Sequence, residues 1–161
     1  MKTRIKILPS ILFLLLLTSC EIISAGSYPY REEYVFENVQ EKELIDSIVN
    51  IGKQYKDLNV PAEHDFSGGY PDERKLWYYV YYMNPKTSNI FFFFIQQKSK
   101  KESYVGLVSV VKVTDLYNWQ EVNHDLKGNE NKKAKEEFET LILDKIGLKY
   151  RKRTFWENIG F

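Results

Sequence analysis

The sequence predicts an α+β fold in which an antiparallel sheet of three to four strands packs with two helices, in the order α-β-β-β-α-β. Three observations lead to this prediction. Two segments repeat apolar residues at helical spacing, the runs between them are rich in aromatic and β-branched residues, and short turn-like segments join those runs. Short connections between consecutive strands favour an antiparallel meander.

The first helix is predicted over residues 38–57. Apolar residues recur there every three or four positions and leave charged residues on the other side. Asn38 is the expected N-cap, because Glu41 three positions later would complete a capping box. Residues 61–74 then form a predicted loop, which is long for a plain connection.

Three strands are predicted after this loop. Successive side chains of a strand point to opposite faces of the sheet. In the middle strand both sets are apolar, so we expect helices to cover one face and further chain, a partner or a ligand to cover the other. The three predicted strands comprise residues 76–82, 90–96 and 104–113.

The C-terminal part supplies the second helix and a last strand. Residues 114–130 are predicted to be irregular. Residues 130–146 carry apolar positions at helical spacing, and Gly147 stands where a C-terminal cap is common. Side chains alternate along residues 148–156, which predicts a final strand with one partly basic face.

The N-terminus has the pattern of an export signal. Three basic residues precede an apolar run that is too short to span a bilayer of about 30 Å as a helix. The ending Leu17-Thr18-Ser19-Cys20 resembles the lipobox of bacterial lipoproteins. That resemblance implies that Cys20 becomes the lipidated N-terminus and that residues 1–19 are removed. An ordinary signal peptide with Cys20 as a bystander, and an uncleaved anchor, are the alternatives.

The predicted mature chain consists of a tether over residues 20–36 and a single domain over residues 37–161. The signal holds three basic residues and no acidic one, so 20 basic and 22 acidic residues remain, a net charge of −2. This balance argues against nucleic-acid binding, and so does export. Cys20 is the only cysteine, and its lipidation would leave the domain without disulfides, thiol catalysis or cysteine-ligated zinc.

Two groups of residues are candidates for function. Trp and Tyr are good anchors for a protein partner or a sugar, although the same rings also suit a core. The two histidines each precede an aspartate in a predicted loop, and convergence of these loops would permit acid–base work or metal binding. No catalytic residue, metal or cofactor is assigned. Ser109-Val110-Val111-Lys112 matches a Ser-x-x-Lys catalytic pattern, but it lies in a predicted strand, where positions i and i+3 point to opposite faces. Nucleotide-binding loops and the Gly-x-Ser-x-Gly motif are absent from the sequence. The candidate binding surface comprises Trp77, Tyr79, Tyr81, Trp119 and Trp156, and the candidate polar site comprises His64, Asp65, His124 and Asp125.

These observations favour a lipid-anchored, non-catalytic binding module of the bacterial cell envelope, one form of which is an immunity or inhibitor protein. A small envelope hydrolase acting on cell-wall glycan or peptide, and a structural lipoprotein of a larger envelope complex, are the alternatives. The expected partners are the membrane, through the lipid on Cys20, and an envelope protein. The expected location is the outer membrane facing the periplasm in a cell with two membranes, and otherwise the outer face of the cytoplasmic membrane.

Overall fold

Seven strands and two helices make up the regular structure in the described part of the chain. A computed structural model describes residues 28–64, 66, 68–74, 76–154 and 157, so Cys20, Asp65 and Trp156 lie outside the described residues. The strands are β1 (Glu32–Glu37), β2 (Tyr70–Pro71), β3 (Tyr78–Met83), β4 (Asn89–Ser99), β5 (Glu102–Lys112), β6 (Gln120–Glu121) and β7 (Arg151–Lys152). The helices are α1 (Glu41–Gln54) and α2, which begins with Gly128–Phe138, continues as a π-helix over Glu139–Leu143 and ends with Asp144–Ile146. Short 3₁₀ turns cover Lys56–Leu58 and Ala62–His64.

The strands form one antiparallel sheet in the order β2-β3-β4-β5-β1-β7. β4 and β5 pair along their whole length, while β1 pairs with the first half of β5 and β6 with its second half. The prediction of three to four strands is therefore wrong, although the fold remains α+β. β2, β6 and β7 have two residues each, which is too short for the alternation that reveals a strand in a sequence.

β1 changes the predicted fold most, because it lies inside the sheet between β5 and β7. Residues 32–36, predicted as the end of the tether, form most of β1, and Tyr34 and Phe36 are fully buried against the domain. Acidic residues stand at both ends of this segment, and the apolar run between them is too short to predict a strand from the sequence. Pairing with a strand about seventy residues away, rather than local sequence, makes this segment a strand.

Helix α1 is shorter than predicted and begins differently. Gln40 occupies the N-cap position, without a side-chain hydrogen bond. Asn38, the predicted cap, has a left-handed backbone with φ 59° and donates its N–H to the carbonyl oxygen of Lys101. The capping-box prediction was therefore wrong, because Asn38 is held in a turn that binds the β4–β5 connection.

The main core lies between the two helices and one face of the sheet. Its helix residues include Leu44, Ile48, Ile51, Ala134, Phe138 and Ile142. Its sheet residues include Tyr34, Phe36, Val80, Tyr82, Phe91, Phe93, Ile95, Val105 and Leu107. These side chains alternate along each strand with those of the other face, as the pleat of a strand requires.

One close approach holds α1 on the sheet. The buried hydroxyl of Tyr82 donates to the carbonyl oxygen of Ile48 at 2.7 Å. A Cβ atom at Gly52 would lie 2.5 Å from that hydroxyl oxygen. The absence of a side chain at Gly52 therefore lets the helix backbone come close enough for this bond.

Helix α2 is joined to the β3–β4 turn through one carboxylate. Glu137 accepts hydrogen bonds from Asn84 Nδ2 at 2.6 Å, from Thr87 Oγ1, and from Asn89 Nδ2 at 3.3 Å. The π-helical segment begins two residues later. This contact fixes the start of that segment against the sheet.

The end of the described chain agrees in part with the sequence analysis. Gly147 ends α2 in a left-handed conformation with φ 73°, which confirms the predicted C-cap. Of the predicted strand over residues 148–156, only Arg151–Lys152 is a strand among the described residues, and it pairs with β1. Within the described chain, none of the helices has both the length and the hydropathy that crossing a membrane requires.

Candidate functional site

The face of the sheet opposite the helices carries a layer of aromatic side chains. Along β3 and β4 these rings alternate with the rings that enter the main core. Tyr28, Phe66 and Trp119 come from segments outside these strands and lie against the layer. We call this layer the aromatic face; it comprises Tyr28, Phe66, Trp77, Tyr79, Tyr81, Phe92, Phe94 and Trp119.

The rings of the aromatic face contact one another, and two sets of stacked rings can be distinguished among them. In one group Trp77 stacks on Phe94 with ring centroids 5.1 Å apart. In the other group Tyr81 stacks on Phe92 at 4.9 Å and on Phe66 at 4.9 Å. Such pairs contribute about 0.5–1.5 kcal/mol each beyond the area they bury, so the face is held together by its own rings.

A glycine makes room for one of these rings. Gly106 of β5 is paired with Phe94 of β4. A Cβ atom at Gly106 would lie 2.5 Å from Phe94 Cζ. The ring therefore occupies the space that a side chain at this position would take.

The aromatic face is only partly covered. Seven of its eight rings keep part of their surface in solvent, and only the ring of Phe94 is buried. Tyr70, whose ring lies 5.8 Å from that of Tyr79, is 41% exposed. Tyr117 is fully exposed in the loop that carries Trp119. Exposed rings around half-buried ones are typical of a docking surface.

Two tyrosine hydroxyls of the aromatic face, those of Tyr28 and Tyr81, stay protonated. Burial raises the pKa of Tyr81 and of Tyr28 well above the ordinary value, and the neighbouring hydroxyls of Tyr70 and Tyr79, respectively, raise them further. The face therefore offers neutral O–H groups beside apolar rings. That chemistry suits binding by contact area and hydrogen bonds rather than proton transfer.

A buried ion cluster borders the aromatic face. Glu33 of β1 is buried and pairs with both Arg31 and Arg153. Arg31 also donates to the carbonyl oxygen of Tyr28 at 2.7 Å, and its guanidinium lies 5.9 Å from the ring centroid of Phe94. The cluster thus fixes the segment that places Tyr28 on the aromatic face.

The turn after β6 is the second candidate region. Nδ1 of His124 lies 3.0 Å from Oδ1 of Asp125 and 3.6 Å from Oε2 of Glu121. The backbone N–H of Glu121 donates to Oδ2 of Asp125 at 2.9 Å, and this bond, together with the nearby imidazole, lowers the pKa of Asp125. The ring of Tyr30 stacks on the imidazole with centroids 4.2 Å apart.

The structure brings together most of the predicted binding surface but separates the predicted polar site. Trp77, Tyr79, Tyr81 and Trp119 share the aromatic face, whereas Trp156 lies outside the described residues. The group of potential ligands at His124 contains Glu121 and Asp125 and not His64, which ends a 3₁₀ turn. Among the described residues, the ligand group at His124 therefore forms without the second histidine, whose meeting with His124 was a condition for acid–base work or metal binding by both loops.

Sequence reasoning missed residues of both regions. Phe92 and Phe94 were placed on one side of their strand by alternation, but they were not assigned to the binding surface. Tyr28 and Phe66 lie in segments without periodicity, so no local signal indicates their contacts. Glu121 stands three residues before His124, and this spacing brings the side chains together only because the segment folds into a helical turn.

A groove of about 600 Å³ lies on the other side of the molecule, between the first 3₁₀ turn, the β3–β4 turn and α2. Tyr55, Leu58 and Leu141 supply apolar lining. Its charged residues are Lys86, Lys133, Lys145, Asp57, Glu136 and Glu137. Because the charges balance, the groove indicates no single class of ligand.

No family model, curated protein or solved structure matches this chain. The class of the protein is accordingly defined by its fold and surfaces. It is an α+β domain in which helices cover one face of an antiparallel sheet. The other face carries a layer of aromatic side chains that is partly exposed to solvent.

Proposed function

We propose that this chain is a lipid-anchored, non-catalytic binding module of the bacterial cell envelope, and that its aromatic face binds a protein partner. The half-covered rings of that face are the observation that carries the proposal. Tyr and Trp dominate the energetics of protein interfaces because they bury a large area at a small cost in side-chain entropy. Burial of apolar surface contributes about 25 cal/mol per Å², and the rings are already in place.

The position of the tether supports binding close to a membrane. Tyr28, the first described residue, packs on the aromatic face. The eight residues that follow Cys20 up to Tyr28 span at most about 29 Å when fully extended. A lipid on Cys20 would therefore keep the aromatic face near the membrane surface and raise its effective concentration for a partner there.

Site-specific photo-crosslinking in the native envelope tests the proposed partner. The full-length chain would carry the crosslinking residue in place of Tyr117, and a control would carry it in place of Lys132, which is exposed on α2. We expect one protein to be crosslinked from position 117 and not from position 132. The same products from both positions, or products that contain glycan or lipid alone, would contradict a protein partner at the aromatic face.

The anchor is tested separately through Cys20. We expect the wild-type chain to incorporate a labelled fatty acid and to sediment with membranes, and Cys20→Ser to do neither. Labelling or membrane retention that survives Cys20→Ser would rule out the lipid anchor. It would leave the crosslinking result on the aromatic face unaffected.

A further inference from the structure

The segment from Glu121, the last residue of β6, through the following turn brings three potential ligands together. Val122 and Leu126 are buried and anchor the turn in the main core. The backbone N–H groups of Asp125 and Leu126 both donate to the carbonyl oxygen of Glu121, at 2.9 and 3.1 Å. This helical turn brings the side chains of Glu121, His124 and Asp125 to one side, although all three reach solvent.

The distances among the three side chains match those in a metal site. The two carboxylate oxygens lie 3.0 and 3.6 Å from His124 Nδ1, and the three ligand atoms all lie within 4.8 Å of one another. Tetrahedral zinc with bonds of about 2.0–2.1 Å sets its ligand atoms roughly 3.3–3.4 Å apart. An ion would therefore fit with small side-chain movements.

Contacts outside the three ligand atoms hold two of the side chains in place. Oδ2 of Asp125 is bound by the N–H of Glu121, which leaves Oδ1 directed to the imidazole. The ring of Tyr30 covers the imidazole of His124, and Asn123 Nδ2 holds the carbonyl oxygen of Tyr30 at 3.0 Å. Outer contacts orient ligands in metal proteins, and their loss typically weakens metal affinity about 10- to 100-fold.

We propose that Glu121, His124 and Asp125 bind one divalent transition-metal ion, for which zinc is the expected occupant. One imidazole and two carboxylates favour zinc over calcium and magnesium, which prefer all-oxygen sites with more ligands. Three protein ligands leave a coordination position open for water or for a group from a partner. The site is independent of the aromatic face, and it lies where the N-terminal segment contacts the domain through Tyr30.

Isothermal titration of the full-length, chelator-treated chain in detergent micelles with Zn²⁺ tests this site at neutral pH. We expect one ion per chain, at least tenfold weaker binding in Glu121→Gln and in His124→Ala, and unchanged binding in His64→Ala. His64→Ala is the matched control, because it removes the only other histidine of the chain. Glu121→Gln keeps the size of the side chain, and a urea denaturation midpoint equal to that of the wild type would show that a loss of binding there is not a loss of folding.

Two results would overturn the site. Absence of Zn²⁺ binding would mean that the two carboxylates only pair with the imidazole. Equal affinity in the wild type and in His124→Ala would mean that any zinc is bound elsewhere. Titration with Ca²⁺ checks the ion class: binding as tight as that of Zn²⁺ would contradict a transition-metal site.

Discussion

The two faces of the sheet are made of the same kinds of residue but are closed to different degrees. Phe91 and Phe93 alternate on one strand with Phe92 and Phe94. The first pair is sealed beneath α1 and α2, whereas Phe92 lies under rings from loops and keeps part of its surface in solvent. A thin aromatic cover over an apolar sheet face therefore leaves apolar area free for a partner.

The largest expected effect distinguishes two neighbouring phenylalanines. Phe93→Ala should lower the free energy of unfolding by about 3–5 kcal/mol, because it opens a cavity in the closed core. Phe92→Ala should lower the free energy of unfolding by about half as much, since solvent and neighbouring rings can fill the space that the removed ring leaves. Urea denaturation of the two variants checks this. Equal losses would mean that both faces are closed to the same degree.

The next effect tests the ion cluster at the edge of the aromatic face. Glu33→Gln should lower the free energy of unfolding by about 3 kcal/mol, because it leaves the guanidinium groups of Arg31 and Arg153 without their buried counter-charge. Glu37→Gln on the same strand is the control. It breaks an exposed pair with Arg151, and such pairs contribute about 0.2–1 kcal/mol. Similar losses of unfolding free energy in the two variants would show that burial of Glu33 does not matter.

A third effect concerns high pH and the closed face. Burial raises the pKa of Tyr82 to about 12. Its contribution to stability is therefore complete below pH 10, the ordinary tyrosine value, and is lost as pH rises through about 12. Tyr82→Phe should lower the free energy of unfolding by about 1 kcal/mol at neutral pH, because the hydrogen bond to Ile48 is missing. Above pH 10, the free energy of unfolding of this variant should fall less steeply with pH than that of the wild type. Denaturation midpoints measured from pH 7 to pH 12 test this, and an unchanged alkaline slope would contradict it.

The smallest expected effect on stability lies in the loop that carries Trp119 to the aromatic face. Tyr117→Ser should change the free energy of unfolding by less than about 0.5 kcal/mol, because its side chain is fully exposed. The same variant should bind the crosslinked partner at least tenfold more weakly, a change of about 1.4 kcal/mol. Lys132→Ser should alter neither quantity. Partner affinity that is insensitive to Tyr117→Ser would place the docking surface elsewhere.

The parts of the fold that local patterns predict are those with many repeats of the pattern. The three long strands and both helices were expected close to their observed positions, and Gly147 was expected at the end of α2. Alternation along the middle strand also predicted that both faces of the sheet need cover. The two-residue strands were missed because a strand of that length carries no pattern, and β1 was missed because its partner is distant in sequence.

The candidate sites show the same division. Trp77, Tyr79 and Tyr81 were expected on one face because alternation alone places them there. Trp119 was proposed as their companion from its residue type alone, and its contact with Tyr81 exists only because the loop after β5 folds back onto the sheet. A meeting of His64 and His124 was left open, since nothing in the sequence states which loops meet; the described group at His124 contains Glu121 and Asp125. Asp125 was included with His124 as its neighbour, whereas Glu121 required the turn.

Spacing within single segments was enough to predict the α+β class, the positions of the long elements and the two-sided apolar character of the middle strand. The tertiary structure alone decided that β1 lies inside the sheet, that Tyr28 and Phe66 join the aromatic face, and that Glu121 reaches His124. Long-range contacts form when the burial of a whole layer outweighs the entropy of closing the loops between its parts. That balance is a property of the complete fold and cannot be read from any one segment.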